Sequence, residues 1–340
     1  MNNKKRLYYY YYSKHKSTIA GYVAAILSAA FFGSVSTIAK PIVSTIDPLF
    51  LSSLVYLVSG LVLTFLSKLN SNSLTSWLPS KSASTSFHFA ASLSISHINR
   101  KDYLFIFTVA ILGAAIALAL YFLGLQNTSA SDAALLGNGE IIFSIMFALF
   151  IFKNERLKPI GYISIILVII GIIVVTTNLQ FDKSSLSKVN YGDILIIGAT
   201  IVWAADNNIS KVITQRVDII KIIQLKSLIG GSILLAFAIL ILNVPLLINL
   251  SQIPYIILLG IVGFAVSLYF FLYSLKILGT IRTIIIFSMS SVFGLIFAFI
   301  FLNEPISAYQ ITAVIAMLAG IYTVNRKNSN HEKQRKNTIN

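Results

Sequence analysis

The chain has no cysteine, so disulfides, thiolate metal sites and cysteine nucleophiles are excluded outright. Charge is scarce as well: 11% of its 340 residues are Asp, Glu, Lys or Arg, where soluble domains carry roughly 25%. There are four histidines, His15, His88, His97 and His331, and all lie outside the apolar runs. A histidine-built metal site inside those runs is therefore not expected. No ATP-binding motif occurs either. Gly137-Asn138-Gly139 is no phosphate loop, because no strand precedes it.

What is present is apolar. The chain is 56% hydrophobic with a mean hydropathy of +0.83. One soluble core of this size could not hide that much apolar surface. Lipid is the expected solvent, and in lipid the backbone must satisfy itself, so the runs are read as helices. About 20 apolar residues cross a bilayer. Ten such runs occur, at 19–39, 48–67, 103–125, 132–152, 159–178, 191–210, 219–243, 253–275, 281–302 and 307–325. Pro41, Pro48, Pro159, Pro254 and Pro305 are expected at run ends, where proline is tolerated. The first run is too long for a cleaved signal segment and is read as a membrane helix. Tyr8 to Tyr12 is read as interfacial anchors or as a low-complexity tail.

The net charge is +15. A basic balance can signal nucleic acid, but here it follows topology. With the N-terminus inside, 22 of the 26 Lys and Arg fall in inner segments. Both termini are then cytoplasmic and the chain is expected in the plasma membrane as a multi-pass protein. The Ser-rich stretch 68–102 becomes a flexible cytoplasmic loop and is read as a tolerated insertion. Asn127-Thr-Ser129 and Asn249-Leu-Ser251 are sequons in predicted outer loops, a pattern common by chance.

The runs repeat. Asn154-Glu155 matches Asn303-Glu304, and Gly171 matches Gly320, at an offset of 149. Gly21, Lys40, Asp47 and Gly60 match Gly192, Lys211, Asp218 and Gly231 at an offset of 171. The difference of 22 is the size of the Ser-rich insertion. Five helices per half is odd, so the halves lie in opposite orientations. The expected fold is all-α and integral to the membrane, with ten transmembrane helices as two inverted five-helix repeats. The expected segments are a cytoplasmic tail (1–18), a first repeat (19–178), a second repeat (191–325) and a basic cytoplasmic tail (326–340).

At these residues the chain resembles the EamA-type families of the drug/metabolite transporter superfamily, over about residues 19–325. The resemblance is carried by Phe-Lys-Asn-Glu (152–155), Leu-Asn-Glu-Pro (302–305), Gly-Thr-Ile-Arg-Thr (279–283) and Trp203-Ala-Ala-Asp-Asn-Asn. It implies a central cavity between the halves and export or exchange of small metabolites.

Ionisable groups inside a membrane are costly and default to function. Glu140, Asp206 and Lys226 qualify. Asp206 and Lys226 sit at matching depth, about 8 Å from the inner end of consecutive helices, and are expected to pair. That pair either only holds the bundle or contacts substrate; Lys226 could alternatively snorkel to the inner surface. Glu140, about 12 Å below the outer end of its run, has no evident cationic partner. It shares a small, polar face with Gly137, Ser144 and Ala148. This suits a proton carrier, a ligand for a cationic amine, or a hydrogen-bonded packing group. Tyr121, Asn138, Trp203, Asn207 and Ser290 complete the candidate substrate and proton pathway. The leading function is secondary transport of small organic metabolites by alternating access, with export or exchange implied by the resemblance. The alternative is a membrane-embedded enzyme acting on a lipid-linked substrate, for which the catalytic inventory is thin. No cofactor and no nucleic acid are expected. The partners are a small-molecule solute and the lipid bilayer, with protons a candidate coupling ion and a homodimer a candidate assembly.

Overall fold

The computed structural model describes residues 3–72, 98–147, 151, 190–316, 318, 319 and separate positions between 163 and 174. Among them every regular element is a helix. α1 (Asn3–Val43) and α2 (Pro48–Asn72) are joined by a tight turn. Asp47 caps α2, its Oδ1 accepting from the backbone N–H of Leu49 (2.9 Å) and Phe50 (3.2 Å). Pro41 lies in the last turn of α1. α1 also starts 16 residues before the expected span, so the helical backbone includes Tyr8 to Tyr12.

The third run is one continuous rod in three parts. α3 (Arg100–Val109) opens into a π-helix (Ala110–Ala117) and tightens again as α4 (Leu118–Gln126). The fourth run is broken: α5 (Ala130–Leu136) and α6 (Gly139–Met146) part at Gly137-Asn138. The second half follows the same plan. α7 (Tyr191–Thr214) leads to α8 (Ile219–Leu240), which Asp218 caps as Asp47 caps α2. Next come α9 (Ile253–Leu258), a second π-helix (Leu259–Val266) and α10 (Ser267–Leu278). Gly279, with φ 85°, supplies the turn into α11 (Thr280–Phe287), and α12 (Met289–Leu302) follows a break at Ser288. Residues 308–316 are helical.

The two π-helices stand 149 residues apart at both of their ends. The breaks at Asn138 and Ser288 are 150 apart. The repeat read from the sequence therefore extends to its irregularities. Among the described residues six helices are long and apolar enough to cross a membrane: Thr18–Val43, Pro48–Ser67, Arg100–Gln126, Ile219–Leu240, Leu250–Leu278 and Arg282–Leu302. α7 has 24 residues but carries Asp193, Asp206 and Lys211. The Lys153 to Lys158 corner, the core of the Ser-rich loop and the C-terminal tail lie outside the described residues.

The halves interlock. α1 packs on α10, α12 and the second π-helix, while α7 packs on α4, α6 and the first π-helix. α2 and α8 pack on each other. A Cβ on Gly60 would meet Leu228 Cγ at 2.7 Å, and one on Gly231 would meet Leu57 Cγ at 3.0 Å. The two glycines are 171 residues apart and so are the two leucines, so this contact has the symmetry of the repeat. Small residues admit such close helix approach where lipid supplies no hydrophobic drive.

Candidate functional site

α7 presents Trp203, Asp206, Asn207 and Ser210 at helical spacing, and all four are buried. Asp206 forms an ion pair with Lys226 of α8 and also accepts from Ser210 Oγ at 3.2 Å. Both members of the pair are nearly free of solvent, with 2% and 3% exposure. Gly113, in the first π-helix, abuts the pair. A Cβ there would overlap the Asp206 carboxylate, with Lys226 Nζ at 2.7 Å. The same residue accepts two side-chain donors on its carbonyl, from Tyr56 Oη (3.2 Å) and Trp203 Nε1 (3.3 Å). A π turn breaks the ordinary i to i−4 ladder, and such turns recur at functional sites.

Glu140 sits in the first turn of α6, just past the helix break. It accepts a hydrogen bond from Asn207 Nδ2. Asn208 Nδ2 donates to Ser144 O (3.0 Å) and Ala204 O (2.9 Å), tying α7 to α6. The carboxylate therefore does not stand apart from the cationic centre, contrary to the depth count: Glu140, Asp206 and Lys226 line one small cavity. Counting depth from run ends assumes straight, unbroken helices, and this one breaks at Gly137-Asn138.

Two adjoining cavities form the site. The first is lined by Ser36, Tyr121, Asn138, Glu140, Ser288 and Ser290, and leaves about 10 Å³ for a water-sized body. The second is lined by Tyr56, Glu140, Trp203, Asp206, Asn207 and Lys226, and leaves about 20 Å³. Each has room for about one water, and Phe32 and Phe287 line both. All eight residues singled out in the sequence thus meet here. Sequence reasoning missed Phe32, Tyr56, Ser36 and Phe287. Phe32 was findable, since it matches Trp203 at the 171-residue offset, and the two rings meet edge-on at 5.6 Å.

A second polar network joins residues of the two halves. Glu304, after α12, accepts from the backbone N–H of Ala130 and Ser131 (both 3.0 Å) and from Ser131 Oγ (2.5 Å). It thereby caps α5, in the other half. Lys40 Nζ donates to Leu125 O (2.8 Å) and Thr128 O (2.5 Å), and Thr128 Oγ1 donates to Asp193 at 2.8 Å. Tyr309 Oη (3.2 Å) and Gln310 Nε2 (2.9 Å) donate to Asp132.

The profile of the EamA-like transporter family matches the chain twice, at residues 19–177 and 190–326. The chain belongs to the EamA-like transporter family. A protein of Methanothermobacter thermautotrophicus, named an uncharacterized transporter, is 31% identical over 304 residues, covering 89% of this chain and 85% of that one. One of Clostridium kluyveri with the same name is 25% identical over 236 residues, covering 66% and 73%. A crystal structure titled only as that of a protein superposes with a TM-score of 0.63 at 14% identity, over 92% of this chain and 98% of the other, which shows a shared fold. This EamA-like chain is thus a helical membrane protein whose relatives are named transporters, and the buried polar cluster lies where its two family segments interlock.

Proposed function

We propose that the protein is a secondary transporter of small organic metabolites, an exporter or exchanger, working by alternating access in the plasma membrane. Residues 19–178 and 191–325 are its two repeats, of five transmembrane helices each and opposite orientation. The tails 1–18 and 326–340 and the loop 68–102 are cytoplasmic. One observation carries the reading: Glu140, Asp206 and Lys226 are buried together at the junction of the halves. Ionisable groups at such a place are costly and mark transport sites. The matched irregularities of the halves support it, because two similar units that interlock can exchange roles as they rock.

In this reading the Glu304 and Lys40 network closes the outer end. Glu140, Asp206, Lys226 and Asn207 contact the solute, Trp203, Tyr121, Asn138 and Ser290 shape its cavity, and Glu140 carries a coupling proton. A metabolite panel scored by thermal stabilisation of the purified protein, followed by flux into proteoliposomes, tests this. A stabilising solute should be transported, and Glu140→Gln should flatten the pH dependence of its flux. Binding without flux for every hit would sink the transport reading. An unchanged pH dependence in Glu140→Gln would sink the proton coupling alone.

A further inference from the structure

The central cluster is one positive charge short. Glu140, Asp206 and Lys226 are buried, with exposures of 5%, 2% and 3%. Asp206 is committed to Lys226, and Glu140 is held by the neutral amide of Asn207. Lys226 is the only Lys, Arg or His among the described residues lining the two cavities. With all three groups ionised the cluster carries a charge of −1. An uncompensated buried charge is strongly unfavourable, so the site must take up a cation or a proton. An anion would deepen the deficit and a neutral solute would leave it.

The walls specify which cation fits. Phe32 meets Trp203 at 5.6 Å, Phe264 at 6.3 Å and Phe287 at 5.1 Å between centroids. Tyr56 meets Phe264 at 4.9 Å and Tyr121 meets Trp203 at 5.2 Å, both as tilted pairs. Aromatic faces attract cations that shed their water readily, which an alkylammonium does and a small metal ion does not. Among the described residues no group of three or more His, Asp or Glu stands ready to hold a metal. Lys226 shows that the Asp206 side of the site accepts an ammonium.

We infer that this cluster binds one organic monocation, an alkylammonium, in competition with a proton on Glu140. The inference rests on reading the cavities as the transport site. As they stand the cavities admit only water-sized bodies, so the cation enters once Phe32 and Phe287, which line both, swing aside. The titratable groups facing Glu140 are Asp206 from α7, Lys226 from α8, Tyr56 from α2 and Tyr121 from α4. α1, α11 and α12 contribute Phe32, Ser36, Phe287 and Ser290 there.

The test uses the purified full-length chain with tetramethylammonium, choline, benzyltrimethylammonium and butylammonium. The controls are 3,3-dimethylbutanol, the neutral isostere of choline, and benzoate. At least one cation should raise the melting temperature and neither control should. Binding should release about one proton, measured in weak buffer, and weaken as pH falls. Glu140→Gln should abolish the release. Trp203→Phe, which keeps a ring, should weaken binding by up to about tenfold; it stands in if Glu140→Gln does not fold. Stabilisation by no cation, equal stabilisation by the neutral isostere, or proton release that survives Glu140→Gln would overturn the inference. Flux of neutral or anionic solutes alone would remove the cation and leave the transporter. Cation binding with no flux of any solute would do the reverse.

Discussion

Gly113 and Gly263 occupy corresponding places in the two halves, 150 residues apart, one in each π-helix. A Cβ on Gly113 would collide with Asp206, and one on Gly263 would come within 2.9 Å of Val35. Val35 is the counterpart of Asp206 at the 171-residue offset, and Val55 is the counterpart of Lys226. One half thus holds an ion pair where the other holds two valines. Glu140 and Asn207 likewise face Ser290 and Ser36 as their counterparts. The backbone plan is shared and the charge is not. Whatever makes this transporter selective therefore belongs to the difference between the halves, while the common plan supplies the means of moving.

Making the ion pair copy its two valine counterparts gives the largest expected effect. Lys226→Val alone strands Asp206 in the interior and should cost about 3–5 kcal/mol. Adding Asp206→Val should restore stability to within about 1 kcal/mol of the parent or raise it, since apolar pairs often replace buried ion pairs without loss. Unfolding in mixed micelles measures both. Transport should stay absent in the double variant, which separates a holding role for the pair from a functional one. Full transport by that variant would mean that the pair only holds the bundle.

The corners that close each fourth and ninth run differ too, one basic and one bearing Glu304 with no Lys or Arg. Glu304→Ala leaves Ala130 N–H, Ser131 N–H and Ser131 Oγ without their acceptor and should cost about 1.5–3 kcal/mol. The chain has no cysteine, so a single Ser288→Cys gives a clean reporter of access to the first cavity. Its labelling by an impermeant maleimide should rise in the Glu304→Ala background. Unchanged labelling would mean that this network caps a helix without closing the outer end.

Much of this was legible because a repeat doubles every signal. The offsets of 171 and 149 identified the corresponding glycines, capping aspartates and corners, and matching depth suggested the Asp206–Lys226 pair. The π-helices were not legible. AILGAAIA and LGIVGFAV read as plain apolar sequence, and a π turn has no distinctive composition. Their consequence, a carbonyl on Gly113 open to Tyr56 and Trp203, was hidden with them. Glu140 was placed too far from Lys226 because the break before it turns a length along the chain into a different depth. Phe287 was passed over because a phenylalanine in an apolar run carries no signal against the lipid-facing alternative, whereas the signal for Phe32 lay in its match to Trp203.

The glycine pair itself allows a milder test. Gly113→Ala should cost about 1–3 kcal/mol, because two charged groups locked together cannot yield without breaking their bond. Gly263→Ala should cost less, because its nearest neighbour is a methyl of Val35. Thermal unfolding of the two single variants should therefore differ. Equal costs would show that the ion pair adjusts as freely as a valine does.

The smallest effect is expected at Tyr56, whose hydroxyl shares the Gly113 carbonyl with the Trp203 indole. Tyr56→Phe removes one of two donors, so the carbonyl stays satisfied and the cost should be at most about 1 kcal/mol. Tyr56 is replaced in the other half by Ser227, too short to match it, so no equivalent bond constrains the second π-helix in the same way. If the Gly113 carbonyl is held mainly by Trp203, Tyr56→Phe should leave stability nearly unchanged and Trp203→Phe should lower it measurably. The reverse order would assign the π-helix anchor to α2 rather than α7, and would move the fixed point of the first π-helix away from Asp206.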